Sequence, residues 1–271
     1  MTAPDAFEGV IAVPGASLAC WDTGGPGVPI VLLHPGTGTA AVWEPQRRPL
    51  AAAGYRVIAC TRRGHAGSSP VDPADPGSAV EDLCAVLDAL GVASAHVIGA
   101  AGGGITAVDL ALARPERVLS LVLAGSLLGV RDPEWRAAIT ALGLVPNPGL
   151  PHEVVEVGPS YRAEEPAGLA RWRAIESTAQ IDGVLRPQPV LSDITWASLA
   201  ALRMPVLLVG GGADLLVPSP LVELAAAHIP GAVTRHIPDA GHAMAWERPG
   251  RFNEIVVEFL RTVRRPGPGD A

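Results

Sequence analysis

Three residues far apart in this chain have the types and the order of a proton-transfer site: Ala101 in a glycine-rich turn, then Asp214, then His242. His242 sits in Asp239-Ala240-Gly241-His242-Ala243-Met244, and Asp214 in Gly212-Ala213-Asp214-Leu215. Asp214 directly follows a buried strand-like run, and His242 comes shortly after the last strand. A neutral imidazole can take a proton from a nucleophile and return it to a leaving group. A carboxylate can orient that imidazole and stabilise its charged form. Asp239 is the rival acid, but it stands only three residues before His242 and suits a turn better. The third part is Gly99-Ala100-Ala101-Gly102-Gly103, which reads as a strand, a tight turn and the start of a helix. Glycines at 99, 102, 103 and 104 permit the sharp reversal and close backbone packing. This is the shape of the G-x-S-x-G elbow, in which the central residue is held exposed at a strained strand-to-helix turn. Ala101 occupies the position of the nucleophile.

A developing oxyanion needs two backbone N–H donors. The residue after the nucleophile position, Gly102, supplies one. The other is expected from the loop His34-Pro35-Gly36-Thr37. Pro35 has no N–H, so Gly36 is the first candidate and Thr37 the second. His34 is expected to line the pocket floor without catalysing. Trp135, Trp172 and Trp196 are further pocket candidates, with core packing as their competing role. His65, in Arg63-Gly64-His65-Ala66-Gly67, reads as structural.

The elements that must position these groups follow from the apolar patterning. Continuous apolar runs at Pro29 to Leu33, Tyr55 to Cys60, His96 to Ala100, Val118 to Ala124 and Pro205 to Val209 read as strands buried on both faces. Gly9 to Val13 and Ser17 to Asp22 read as two leading strands, and Ala232 to Ile237 as the last. Between them lie helix signals, clearest at Val80, Leu83, Cys84, Leu87 and Leu90 before Gly91. Other helices are expected around Trp43 to Ala53, after the elbow to about Pro115, over Leu221 to His228 and over Phe252 to Val263. Alternating strands and helices predict an α/β fold, a doubly wound and mostly parallel sheet. The alternation pauses over about 126–202, a stretch with helix-like pieces and several prolines. It is expected to form an inserted helical cap, leaving 1–125 and 203–271 as the core. No internal repeat is evident, and the tail from Pro266 to Ala271 is expected to fray.

With 271 residues the chain can bury a large core. Its 48% hydrophobic and 17% charged content excludes a disordered chain. A net charge of −7 argues against nucleic acid as a partner, and Arg261, Arg264 and Arg265 read as a solvated helix end. Cys20, Cys60 and Cys84 have no metal-ligand spacing and read as buried free thiols. No apolar run is long enough to span a bilayer. The first residues have no secretory-signal pattern, and the expected setting is cytoplasmic.

Five stretches now stand in one order: His34-Pro35-Gly36, Arg63 to Ser68, Gly99 to Gly103, Gly212-Ala213-Asp214 with Val217-Pro218, and Gly241-His242. With these the chain resembles the α/β-hydrolase superfamily over essentially its whole length. Similar proteins include carboxylesterases, lactonases and carbon–carbon bond hydrolases. The resemblance implies an eight-stranded core sheet, a cap, and no metal or organic cofactor. Two departures matter: Pro35 replaces the glycine that often follows the strand histidine, and Ala101 replaces the nucleophile. The alanine admits three readings. The first is a serine hydrolase for an apolar carboxylic ester or lactone, in a nucleophile-lacking form that binds without turnover. The second is a His242–Asp214 general-base enzyme without a nucleophile, such as a lyase, a cyclase or a cofactor-free oxygenase. The third is a non-catalytic ligand-binding protein. The expected partner is that small molecule, not a membrane; a homodimer is compatible with the chain.

Overall fold

The computed structural model describes residues 4–142 and 150–263. Among these residues the apolar runs become eight strands of one sheet. They are β1 (Phe7–Val13), β2 (Ala16–Asp22), β3 (Pro29–Leu33), β4 (Arg56–Cys60), β5 (Ala95–Ala100), β6 (Val118–Ala124), β7 (Val206–Gly211) and β8 (Val233–Ile237). Their spatial order is β1-β2-β4-β3-β5-β6-β7-β8. β2 runs antiparallel to β1 and β4, and the pairs from β4 through β8 are parallel.

The central strands are mostly apolar because both faces are covered; His96 of β5 and Ser120 of β6 are buried polar exceptions that hydrogen-bond to each other at 2.8 Å. Successive side chains point to opposite faces. Val31, Leu33, Val97, Leu121, Leu123 and Leu208 pack into one core layer. Their neighbours Ile30, Leu32, Ile98, Val122, Leu207 and Val209 pack into the other. Helices α1 (Glu44–Ala52), α2 (Ala79–Ala89) and α3 (Gly102–Ala113) follow β3, β4 and β5. Ser78 starts α2, its hydroxyl accepting from the N–H groups of Val80 and Glu81, as an N-cap serine does.

After β6 the chain contributes α4 (Pro133–Ala141), α5 (His152–Glu156), α6 (Pro159–Glu164), α7 (Pro166–Ala179) and α8 (Trp196–Leu199) before it re-enters the sheet. The core then closes with α9 (Ser219–Ala227), α10 (Met244–Glu247) and α11 (Pro249–Thr262). The strand order reverses between β3 and β5, since β4 lies on one side of β3 and β5 on the other. Loops leaving the carboxyl ends of such a pair diverge and open a crevice. Here those loops begin at His34 and at Ala101.

The cysteines correct the sequence reading. Cys20 and Cys60 are joined by a disulfide, with Cα atoms 4.1 Å apart. They face one another in the antiparallel register of β2 and β4. The bond links residues 40 apart in sequence, so only strand pairing reveals it. Cys84 is free and partly buried. No helix among the described residues is long and apolar enough to cross a membrane. Arg264, Arg265 and the tail expected to fray lie outside the described residues.

Candidate active site

The elbow is built by close backbone contact. β5 delivers Ala101 to the first position before α3 with φ 48° and ψ −114°. A side chain rarely adopts this left-handed region. The surroundings fix it there. The Ala101 N–H donates to the Ala124 carbonyl at 2.9 Å, and the Ser126 hydroxyl donates to the Ala101 carbonyl at 2.8 Å. Gly103 must be glycine, because a Cβ would fall 2.1 Å from the Leu33 carbonyl oxygen of β3. That contact holds the elbow against the loop after β3.

Asp214 and His242 meet beside it. The His242 ring places Nδ1 2.9 Å from Asp214 Oδ2, leaving Nε2 free of this pair. The other Asp214 oxygen accepts from the Leu216 and Val217 N–H groups. Burial alone would push the Asp214 carboxyl up, but the His242 charge and these hydrogen bonds hold it below the usual carboxylate range. Burial pulls the His242 imidazole down, yet the Asp214 charge and hydrogen bond, aided by Glu156 and Glu247, bring it above 6.5. Gly125 leaves room for the pair: a Cβ there would stand 3.0 Å from the His242 Nδ1. Asp239 is turned away to Arg248.

The loop after β3 supplies the remaining part. A Cβ on Gly102 would lie 3.6 Å from the Gly36 nitrogen, so the two glycine backbones approach closely. The Gly36 carbonyl is anchored from behind by Gln180, whose Nε2 donates at 3.1 Å, with His65 Nε2 also 3.1 Å away. Thr37 sits in the same loop, but its hydroxyl is spent on the Glu156 carboxylate, to which it donates at 2.8 Å.

A glycine-packed elbow, a buried acid–imidazole pair in chain order and a loop from the neighbouring strand now stand on one edge of a mostly parallel sheet. The chain belongs to the alpha/beta hydrolase family. The family's sequence profile matches residues 30–255. A 2-hydroxy-6-oxononadienedioate/2-hydroxy-6-oxononatrienedioate hydrolase of Cupriavidus pinatubonensis is 32% identical over 272 aligned residues, covering 89% of this chain and 89% of that one. Among solved structures, Est816, an N-acyl homoserine lactone degrading enzyme, is 31% identical with a TM-score of 0.73, covering 92% of this chain and 99% of that one. A thermophilic esterase from Thermogutta terrifontis is 27% identical with a TM-score of 0.76, covering 96% and 100%. These similar proteins are hydrolases, and the likeness extends across nearly the whole of each chain.

This hydrolase fold holds a cleft of about 450 Å³, part of it open to solvent, on the Ala101 side of the elbow. Ala101, His242, Trp172 and Glu156 share its wall with Trp43 and Trp246. Of the tryptophans expected there, only Trp172 arrives. Trp135 and Trp196 pack edge-to-face at 5.3 Å within the core layer beneath the inserted helices. Their position on the sheet side of the insertion withdraws them from the cavity. His34 also misses the floor. Its ring is fully buried, with Nε2 accepting from the Arg62 N–H and Nδ1 beside the Pro35 carbonyl. It fastens the loop after β3 to the loop after β4.

Sequence reasoning missed Glu156, Trp43, Trp246 and Gln180. Trp246 had a signal, being four residues after His242, in the short helix α10 that follows the histidine loop. Glu156 and Gln180 had none, because they arrive from the inserted helices. The Glu156 carboxyl is buried in the cavity wall, and burial pushes it up despite the opposing His242 charge and Thr37 hydrogen bond.

Proposed function

We propose that this is the site of a carboxylic ester or lactone hydrolase standing without its nucleophile: it binds such a substrate and does not form an acyl-enzyme. The observation that carries this is the backbone of Ala101, held at φ 48° beside an intact acid–imidazole pair. A strained elbow has no use for a methyl group, but it aims a hydroxyl. With serine at position 101, Oγ would attack the substrate carbonyl while His242 Nε2 takes its proton. Gly36 and Gly102 N–H groups would receive the oxyanion, and His242 would return the proton to the leaving alkoxide. Asp214 would keep Nδ1 protonated throughout. Segment 126–202 serves as the cap, and its Trp172 together with Trp43 and Trp246 favours an apolar acyl body.

Substituting Ala101→Ser tests this directly. The variant should hydrolyse p-nitrophenyl esters or acyl lactones, and a serine-directed phosphonate should add its mass at that position. In subtilisin, loss of the serine costs about 2 × 10⁶ in kcat, so a gain of at least several orders of magnitude is expected. Because the base must be neutral and His242 is raised, the acid limb of kcat/KM should lie above pH 6.5. A folded variant with neither hydrolysis nor labelling overturns the reading.

Glu156 favours a second reading. A buried carboxyl held up by burial shares the cavity with a base. In the chain as it stands, His242 could remove a proton and Glu156 return one, as an elimination or isomerisation requires. That reading demands turnover with alanine at 101, abolished by His242→Ala.

A further inference from the structure

A second chamber lies on the opposite side of the Gly36–Gly102 contact from the apolar cavity. It measures about 780 Å³, part of it open to solvent, and Arg62, Arg186, His65 and Asp109 face it. Arg62 decides its character. Its guanidinium stands against the elbow, both Nη atoms 3.8 Å from where a Gly102 Cβ would be. Among the described residues no carboxylate pairs with it; Asp82 is taken in a two-pronged pair by Arg63. The Arg62 Nε is buried without a hydrogen-bond partner. The guanidinium's one hydrogen bond runs from Nη2 to the His34 carbonyl at 3.2 Å. Asp109 faces the same chamber but makes no ion pair with Arg62; its two oxygens accept from the Leu191 and Ser192 N–H groups. The adjacent imidazoles of His34 and His65 are kept low by burial and by Arg62 itself, so they are neutral bystanders.

The guanidinium is thus partly buried, with its inner nitrogen unpaired. Burial brings the Arg62 guanidinium down only to about 10, so it stays charged at neutral pH. It is therefore free to pair with an anionic group of a ligand. A guanidinium fork matches a carboxylate. Arg186 adds a second cation facing the same chamber, and among the described residues no carboxylate pairs with it.

We propose that Arg62 binds a carboxylate of the substrate, so that the ligand is an amphipathic half-ester: an ester with an apolar body in the Ala101 cavity and an anionic end in the Arg62 chamber. This deepens the ester-site reading above and rests on it. Pro35 and Ala101 line the first chamber and their chain neighbours Gly36 and Gly102 the second, so both chambers border the elbow where the ester carbonyl would sit.

The chain as it stands allows an equilibrium test, because it should not consume the probe. Monomethyl sebacate and dimethyl sebacate are titrated against it, followed by tryptophan fluorescence. Binding of the half-acid should be at least about tenfold tighter than of the diester, the scale of one hydrogen-bonded charge. Arg62→Met should remove that preference, so that the variant binds the half-acid no more tightly than the diester, while its circular dichroism matches that of the unaltered chain. Arg62→Lys should keep part of the preference. Equal binding of the two probes, or a preference that survives Arg62→Met, overturns the Arg62 assignment and leaves the ester site standing. Failure of both probes to bind the unaltered chain overturns the ester site and this assignment together.

Discussion

Ala101 occupies a backbone conformation that strains any residue carrying a Cβ, at a cost of order 1–3 kcal/mol, and its φ of 48° is fixed from both sides by hydrogen bonds. Ala101→Gly should therefore stabilise the fold by about 1 kcal/mol, seen as a higher urea midpoint with an unchanged slope. The Asp214–His242 pair has a pH signature. Asp214 is held below 3.8, so its contribution is present above that pH and is lost as pH falls through its folded value. His242 is raised above 6.5, so its contribution is complete below that pH and is lost as pH rises through its folded value. The two overlap in the mildly acidic window between those values. Asp214→Asn should accordingly cost about 3 kcal/mol near pH 5.5 and distinctly less at pH 9, by denaturation at the two pH values. A loss independent of pH would contradict the pairing.

At the scale of elements, the sheet was legible because buried parallel strands announce themselves as unbroken apolar runs. Pro29 to Leu33 and Val118 to Ala124 could hardly be anything else. The elbow and Asp214 were legible for a related reason: each directly follows such a strand, so sequence position fixes spatial position; His242 trails the last strand, Val233–Ile237, whose pattern is more polar. Side chains from the inserted helices lacked that tie. Trp135, Trp172 and Trp196 look equivalent in sequence, yet only Trp172 turns toward the cavity. Glu156 comes to the site from α5, a helix of five residues, whose placement depends on packing that no local pattern encodes. The disulfide was illegible likewise, since Cys20 and Cys60 meet only through the pairing of β2 with β4.

At the scale of the whole molecule, Glu247 joins the inserted helices to the sheet. Its buried carboxylate accepts from the Gly158 N–H at 2.9 Å and from the Gly241 N–H, immediately before His242, at 3.0 Å. The contact is tight enough that a Cβ on Gly158 would meet the Gly241 nitrogen at 2.8 Å. Glu247→Ala leaves two buried donors unsatisfied and should cost about 2–4 kcal/mol, measured by thermal or urea unfolding. In the Ala101→Ser background it should also lower kcat more than it raises KM, because the histidine loop loses its anchor while the apolar cavity keeps its walls. The Ala101 turn has a genetic consequence as well. Alanine codons begin with GC and one block of serine codons with TC, so a single first-base change would put a hydroxyl on a backbone already held in this turn. A methyl and a hydroxymethyl at position 101 thus lie one mutation apart, and the fold need not be rebuilt in either direction.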